Sequence, residues 1–283
     1  MKSTTNYWDN IECVKDFLNT ADAVLVGIGA GMSTAAGFTY SGERFHKYFD
    51  DFHKKYGITD MYSGGFYSFE SMEEYWAWWS RHIYYNRYDT PAGVPYVQLI
   101  NLLQDKNYFV ITTNVDHQMQ LAGVDKNRLY YMQGDYGLWQ CSEPCHQKTY
   151  DNEEQVRRMV NEQKDMKIPT ELIPHCPRCG ELMTMNLRID GTFVQDEGWY
   201  AAQNRYADFI ERYKDKKLIM LEIGVGYNTP MIIKYPFMRM AHDNIDALYV
   251  PINIENQPIP FEIHKNTVSF NNDIQKVMND LLS

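Results

Sequence analysis

A chain of 283 residues can bury one large α/β core, alone or with pieces inserted into it. Its 37 acidic against 27 basic residues leave a formal charge of −10, so no broad cationic surface is on offer and a nucleic-acid partner is not expected. No apolar run reaches bilayer length, and the opening MKSTTNYWDN lacks the basic then apolar order of a secretory leader; a cytoplasmic chain with no membrane partner is expected.

In chain order, residues 10–19 show helical apolar spacing, and Cys13 among them reads as a buried helix residue. Residues 21–31, ADAVLVGIGAG, are a short β-branched run closed by glycines, the pattern of a buried parallel strand feeding a phosphate-type loop. Residues 106–116, 216–230 and 246–255 give three further apolar strands with polar or glycine ends. Helical patterns at 95–104, 202–213 and 272–282 lie between or beside them. This alternation predicts an α/β fold with a doubly wound parallel sheet, whose ligands sit at the carboxyl ends of the strands. Two stretches interrupt it. Residues 42–90 are rich in aromatics, with YWAWWSRHIYYNRY spaced like a helix after a glycine-rich turn at 62–65. Residues 137–197 hold two cysteine pairs around a very polar DNEEQVRRMVNEQKD. Both read as insertions into a nucleotide-binding domain made of residues 1–41, 91–136 and 198–283.

Cys141 and Cys145 form one pair, Cys176 and Cys179 the other, and CPRCG suits a tight metal-binding turn. Four thiolates in two knuckles roughly thirty residues apart satisfy a tetrahedral Zn²⁺ and leave no open position, so the metal is expected to be structural. His146 and His175 flank the pairs and could substitute, but four cysteines suffice.

In GIGAGMSTAAG no frame completes GxGxxG, because Met32 or Thr34 stands where the third glycine would be. Gly29 and Gly31 still admit close backbone approach, Ser33 offers a hydroxyl, and the helix that follows presents free N–H groups to an anion. TTNVDHQMQLAG puts Asn114 and Asp116 at a strand tip, facing the same side. An amide and a carboxylate there can hold a carboxamide and a ribose, although from the residues alone Asp116 is more simply a helix cap.

Together GAGMSTAAGF, TTNVD with LAG behind it, QG before a cysteine pair, CPRCG, GVG after a strand and INIE near the end follow the order and approximate spacing of sirtuins, NAD-dependent protein deacylases and ADP-ribosyltransferases. The resemblance covers most of the chain, about residues 21–255. It implies a Rossmann-like large domain, a smaller domain built from a helical insertion (42–90) and a zinc-ribbon insertion (137–197), and NAD⁺ as co-substrate in the cleft between them. Carried over residue by residue, Gly29, Ala30, Gly31, Ser33, Gly37 and Tyr40 match the first NAD loop, with Arg44 displaced or altered in role. Thr113, Asn114 and Asp116 match the segment at the nicotinamide ribose and carboxamide, which replaces the capping role of Asp116. Gly224 and Gly226 resemble the later glycine loop, with Val225 in place of the usual hydroxyl residue, and Asn253 and Glu255 resemble the adenosine end.

The departures are informative. FTYSGERF replaces the usual proline, aspartate, phenylalanine and arginine, and FVQDE keeps neither the FG of the segment that pairs with an acyl-lysine peptide nor its position. The family's catalytic histidine is Gln133 here, followed by Gly134. A carboxamide cannot take the ribose proton that deacylation requires, whereas breaking the nicotinamide–ribose bond needs orientation and electrostatics more than a base. Asn114, Gln133 and Asp116 are therefore the expected catalytic group of an ADP-ribosyl transfer. The pattern resembles the macrodomain-linked sirtuins of microbial pathogens. That resemblance implies a protein acceptor similar to the lipoylated H protein of glycine cleavage, with links to a macrodomain hydrolase and a lipoate ligase. The aromatic helix at 75–88 is expected mainly to pack, with a lipoyl-docking groove as the alternative. His82 and His117 are candidate replacement bases, His117 a minor one because it should face away from Asp116.

Overall fold

The computed structural model describes residues 6–283. Its strands, numbered in chain order, are β1 (Ala23–Ile28), β2 (Tyr108–Thr112), β3 (Leu129–Tyr131), β4 (Gly134–Cys141), β5 (Tyr150–Asp151), β6 (Met183–Leu187), β7 (Leu218–Ile223), β8 (Leu248–Asn253) and β9 (Phe270–Asn271). Six of them make one parallel sheet in the order β3-β2-β1-β7-β8-β9. The chain leaves β1 toward β2 and β3 on one side and returns through β7 toward β8 and β9 on the other. The order therefore reverses between β1 and β7, and a crevice opens at their carboxyl ends.

All residues of β1 and β7 are buried, as expected for strands covered by helices on both faces. Alternation then assigns the faces. Ile219, Leu221 and Ile223 of β7 pack with Val277 and Met278 of the last helix, while Leu218 and Met220 pack with Ile233 and Phe237 on the other side. Glu222 interrupts the second face. Its carboxylate takes the Lys234 ammonium and, at 2.7 Å, the Tyr249 hydroxyl, so three buried polar groups satisfy one another below the loop that follows β7.

The four strands expected from the sequence are β1, β2, β7 and β8, each shorter than its window because the glycines and polar residues at the ends belong to loops. β3 and β9 are not anticipated, since three and two residues show no period. Nor is the helix Lys234–Asp243, whose Pro236 lies in the first turn, where a missing N–H is tolerated. The helix Tyr7–Thr20 starts at Asn6, which accepts from the Trp8 amide, and Cys13 on it is half-buried against the core rather than fully enclosed.

A second body grows from residues between β1 and β2 and between β3 and the helix Glu197–Tyr213. It holds the antiparallel sheet β5-β4-β6 and its own apolar core, with Phe45, Phe49 and Phe52 packed against Trp76, Trp78 and Trp139. The aromatic run forms the helix Met72–Ile83, capped by Ser71, and continues as a π-helical turn, Tyr84–Tyr88. Trp76 and Trp78 are completely buried and Trp79 nearly so, so this part of the aromatic run packs, as mainly expected. Burying rings of this size is what holds the second core together, and it leaves those faces closed to a ligand. The polar segment after β5 folds as the helix Glu153–Glu162 by setting Val156 and Met159 on its inner face.

Glycine backbone joins the two glycine-rich loops. A Cβ on Gly29 would stand 2.6 Å from the Gly224 carbonyl oxygen and one on Gly31 2.7 Å from Gly224 Cα. Gly224 itself has φ +64° and faces Met32 N at 2.4 Å from its own notional Cβ. The close approach that these glycines permit is thus between the loops after β1 and β7, across the crevice floor.

Candidate functional site

The carboxyl ends of β1 and β2 bring Ser33, Asn114 and Asp116 together. Ser33 Oγ donates to Asp116 Oδ2 at 2.5 Å, and the Tyr96 hydroxyl lies 2.8 Å from Ser33 Oγ. Asn114 Nδ2 is shared among the Gly29 carbonyl (2.9 Å), Ser33 Oγ (3.1 Å) and the Tyr96 hydroxyl (3.0 Å). These bonds fix the Asn114 amide so that Oδ1, with no protein donor among the described residues, is left for a ligand. Asp116 also accepts from the Gln118 amide, 3.2 Å, at the start of the next short helix. Thr113 hydrogen-bonds back to the Ile28 carbonyl and holds the two strand ends level.

Burial raises the Asp116 carboxyl above the usual carboxylate range; the Ser33 and Gln118 bonds oppose this, and the nearby Asp135 charge adds to it. A carboxyl raised on folding contributes stability below its unfolded pKa of about 4 and loses that contribution as pH rises through the folded value. Asp116→Asn is therefore expected to stabilise the protein at neutral pH, with the advantage shrinking as pH falls toward about 4. Urea unfolding of both proteins at several pH values reads this directly.

Gln133 lies on the turn between β3 and β4. Its carbonyl accepts from the Arg188 amide at 3.0 Å, and its half-buried side chain has no hydrogen-bond partner among the described residues. Gly134 follows at φ +95°, and a Cβ there would stand 1.8 Å from the Asn186 carbonyl oxygen. The turn that presents Gln133 thus accepts only glycine at the next position. Gly134→Ala should cost about 3 kcal/mol or more, visible as a lowered midpoint in thermal or denaturant unfolding.

Two residues on, Asp135 ties three segments together. Its Oδ1 accepts from Arg87 Nε (3.0 Å) on the π turn and from the Gly137 amide (2.7 Å), and its Oδ2 pairs with His117 Nδ1. Burial would push Asp135 up, but His117, Arg87 and the Gly137 amide hold it below the usual carboxylate range. His117 meets Asp135 from a left-handed backbone, φ +64°.

The other candidate base is excluded as one. His82 is buried, its Nε2 meets the Tyr136 hydroxyl at 2.9 Å, and burial with the Arg44 charge pushes it down to about 3, so it stays neutral at any physiological pH. Tyr40 turns its hydroxyl to the same Tyr136 at 2.7 Å, and burial pushes it up to about 12. Arg44 gives its donors to the Thr39 and Tyr85 carbonyls and to Asn86 Oδ1, so Tyr40 and Arg44 brace the loop after β1 against the second body. Gly37 and Gly226 have open space where a Cβ would stand. Asn253 Nδ2 reaches the Val225 carbonyl at 3.3 Å, and Glu255 is exposed beyond it. An amide, a carboxylate and two open glycines around a strand-order reversal fit the hydroxyl, carboxamide and phosphate groups of a dinucleotide. A depression of about 530 Å³ lined by Asp22, Lys217, Asp246 and Lys265 lies at the opposite strand ends and contains none of these residues.

The four cysteines also converge, with their sulfur atoms all within 4.8 Å of one another. Cys141 and Cys179 are 3.5 Å apart and Cys145 and Cys176 3.7 Å. Tetrahedral Zn²⁺ with bonds of about 2.3 Å sets sulfur atoms about 3.8 Å apart, so the residues fit the ion in a closed, structural site. His146 meets the Tyr150 hydroxyl through Nε2 at 2.7 Å, and His175 the Gly180 carbonyl at 2.9 Å; neither belongs to the cluster of metal-ligating atoms.

Tyr96, Asp135, Arg87 and Tyr136 bond to the candidate site residues or to their neighbours and were not expected from the sequence. Tyr96 sits on a plain apolar helix and Arg87 in the aromatic run, so neither carries a local signal. Asp135 stands two residues past Gln133 and was within reach of a reading that asked what positions the QG turn. A further feature bears on FVQDE. The Val194 amide donates to Gln140 Oε1 (2.8 Å), its carbonyl accepts from Asn186 Nδ2 (2.9 Å), and Gln140 Nε2 takes the Thr192 carbonyl (2.8 Å). Two side-chain amides thus take both backbone hydrogen-bonding groups of Val194 and tie FVQDE to β4 and β6.

The fold and site define an α/β protein with a ligand crevice at a strand-order reversal and an inserted body that carries a four-thiolate metal centre. The chain belongs to the Sir2 family, whose model matches residues 29–210. It is 41% identical to the "Protein ADP-ribosyltransferase" of Staphylococcus aureus (strain Mu50) over 272 residues, 96% of this chain and 86% of that one. It is 32% identical to the "Probable bifunctional ADP-ribose hydrolase/ADP-ribosyltransferase" of Fusarium oxysporum f. sp. cubense over 80% of this chain and 39% of the relative. Among solved structures it matches "Structure of Sir2Tm bound to a propionylated peptide" at TM-score 0.60 and 19% identity, covering 95% of each chain. It matches "Sir2-p53 peptide-NAD+" at TM-score 0.57 and 19% identity, again over 95% of each. Among the described residues no helix is long and apolar enough to cross a membrane.

Proposed function

We propose that this protein is an NAD-dependent protein mono-ADP-ribosyltransferase that releases nicotinamide. The observation that carries the reading is the hydrogen-bonded set of Ser33, Asn114 and Asp116 at the carboxyl ends of β1 and β2, together with an amide, Gln133, on the QG turn that follows β3. NAD⁺ supplies an activated ribose bond. Asn114 and Asp116 orient the ribose and carboxamide. Gln133 can hold a hydroxyl by hydrogen bonding but cannot remove its proton, which disfavours deacylation and leaves transfer possible. The names of the two curated relatives support the same activity, and the Fusarium name couples it to an ADP-ribose hydrolase.

For the acceptor we propose a lipoylated carrier similar to the H protein of glycine cleavage, with a macrodomain hydrolase reversing the modification and a lipoate ligase preparing the target. Incubation of such a carrier with the enzyme and NAD, followed by intact mass measurement, tests this. A gain of one ADP-ribose supports the proposal. Loss of an acyl group would establish a deacylase instead, and an unmodified carrier would remove this acceptor. Gln133→His is expected not to create deacylation, because FVQDE lacks the FG of the segment that pairs with an acyl-lysine peptide; release of acetate from an acetyl-lysine peptide by this variant would contradict that.

A further inference from the structure

We infer that His117, aimed by Asp135 and backed by Arg87, accepts the proton that the acceptor nucleophile gives up during transfer. The inference rests on the proposed ADP-ribosyl transfer and narrows its acceptors to groups that carry a proton on the attacking atom: a hydroxyl, an amide, an amine or water. A carboxylate acceptor would not need it.

The backbone is the first observation. His117 has φ +64° at the start of the short helix Gln118–Leu121, a conformation that glycine adopts freely and an imidazole side chain does not require. A strained non-glycine residue beside a ligand crevice points to a use for its side chain. The second observation is the orientation of the ring. Nδ1 bonds to Asp135 Oδ2, which places the hydrogen of the neutral ring on Nδ1 and leaves Nε2 as a lone-pair acceptor. Among the described residues nothing hydrogen-bonds to Nε2, and the ring is 25% exposed while Asp135 is 6% exposed, so the pair is open only at the imidazole end. Asp135 cannot take the proton itself, because Arg87 and the Gly137 amide occupy its other oxygen. A buried carboxylate holding a partly exposed imidazole by Nδ1 is the arrangement that makes Nε2 a base.

Placement is the third. His117 follows Asp116, Asp135 lies two residues beyond Gln133, and the Tyr136 amide bonds to the Val115 carbonyl at 2.9 Å, which locks the two segments side by side. The Asp135 charge is felt at Asp116. The pair therefore lies at the junction of the Asn114–Asp116 strand tip and the QG turn, and it enters from a different loop than the histidine that Gln133 replaces.

The step balances as follows in atoms and electrons. A lone pair on the acceptor atom forms the bond to ribose C1′ while the bond from C1′ to the nicotinamide nitrogen breaks. That bonding pair leaves with neutral nicotinamide, the acceptor's proton moves to His117 Nε2, and the imidazolium returns it to solvent from its exposed side.

The test uses the full chain with NAD and water as acceptor, and then with the lipoylated carrier. In His117→Gly the glycine suits φ +64°, so folding should be kept. The variant should bind NAD as the wild type does, lose about 10²–10³-fold in nicotinamide release, and recover at least about tenfold on addition of imidazole. His117→Asn, which also tolerates the left-handed conformation, should fall by a similar factor. Release within about threefold of wild type in either variant, or a loss that imidazole does not repair, would overturn the inference. Wild-type protein that leaves NAD intact would overturn the transfer reading along with it, whereas wild-type turnover with unimpaired variants would overturn this inference alone.

Discussion

Asn114→Ala is expected to reduce ADP-ribosyl transfer by at least about 10²–10³-fold, the range seen when one preorganised polar group at a reacting centre is removed. The side chain is anchored by Gly29, Ser33 and Tyr96, so it enters the reaction already oriented. Alanine removes the free Oδ1 and also releases Ser33, which then no longer holds Asp116 in one position. The residue is only half-buried and its loss leaves no large cavity, so stability should change little. Gln133→Ala should have a smaller effect, about tenfold, because its amide orients without a protein network of its own. Nicotinamide release measured alongside NAD affinity separates the two: near-normal turnover in both variants would show that the reaction occurs elsewhere in the molecule.

Removal of the metal should act on the same site from a distance. Cys141 is the last residue of β4, and that strand begins at Gly134, directly after Gln133. The zinc cluster, the strand and the QG turn are therefore one continuous piece of chain. The purified protein is expected to contain one zinc ion per chain. Cys176→Ser should release it and lower the thermal midpoint by on the order of 10 °C or more, since a structural zinc site carries a large share of local folding energy. Transfer should fall with it, because β4 then no longer fixes Gln133 and Asp135. Elemental analysis with calorimetry checks both parts; a zinc-free variant with an unchanged midpoint and full turnover would rule out the structural role.

Much of the fold was legible because strong local patterns and global architecture agreed. β1, β2, β7 and β8 are continuous apolar runs with polar ends, and a run of that kind has few other solutions in an α/β chain. The cysteine pairs were legible for a similar reason: ligand spacing and turn chemistry are local. β3 and β9 were not, because pairing with a neighbour, rather than their own two or three residues, makes them strands. The site divides the same way. Asn114 and Asp116 follow β2 and Ser33 lies on the helix after β1, so their meeting at the strand ends, where topology puts ligands, could be expected from sequence. Tyr96 and Arg87 reach the crevice only because separate elements fold over it.

The sequence by itself determined the parallel sheet, the four-thiolate centre and the absence of a base at Gln133, since each depends on residue type and spacing along one segment. Tertiary structure alone decided what the other groups do. It buried His82 so that the ring stays neutral near neutral pH, and it turned Tyr40 and Arg44 to brace a loop. It set Gly29 and Gly31 against Gly224, and it joined His117 to Asp135 and Arg87 across three separate segments. The physical reason is common to all of these: protonation, orientation and close approach depend on the neighbours that folding supplies, and those neighbours are far away along the chain.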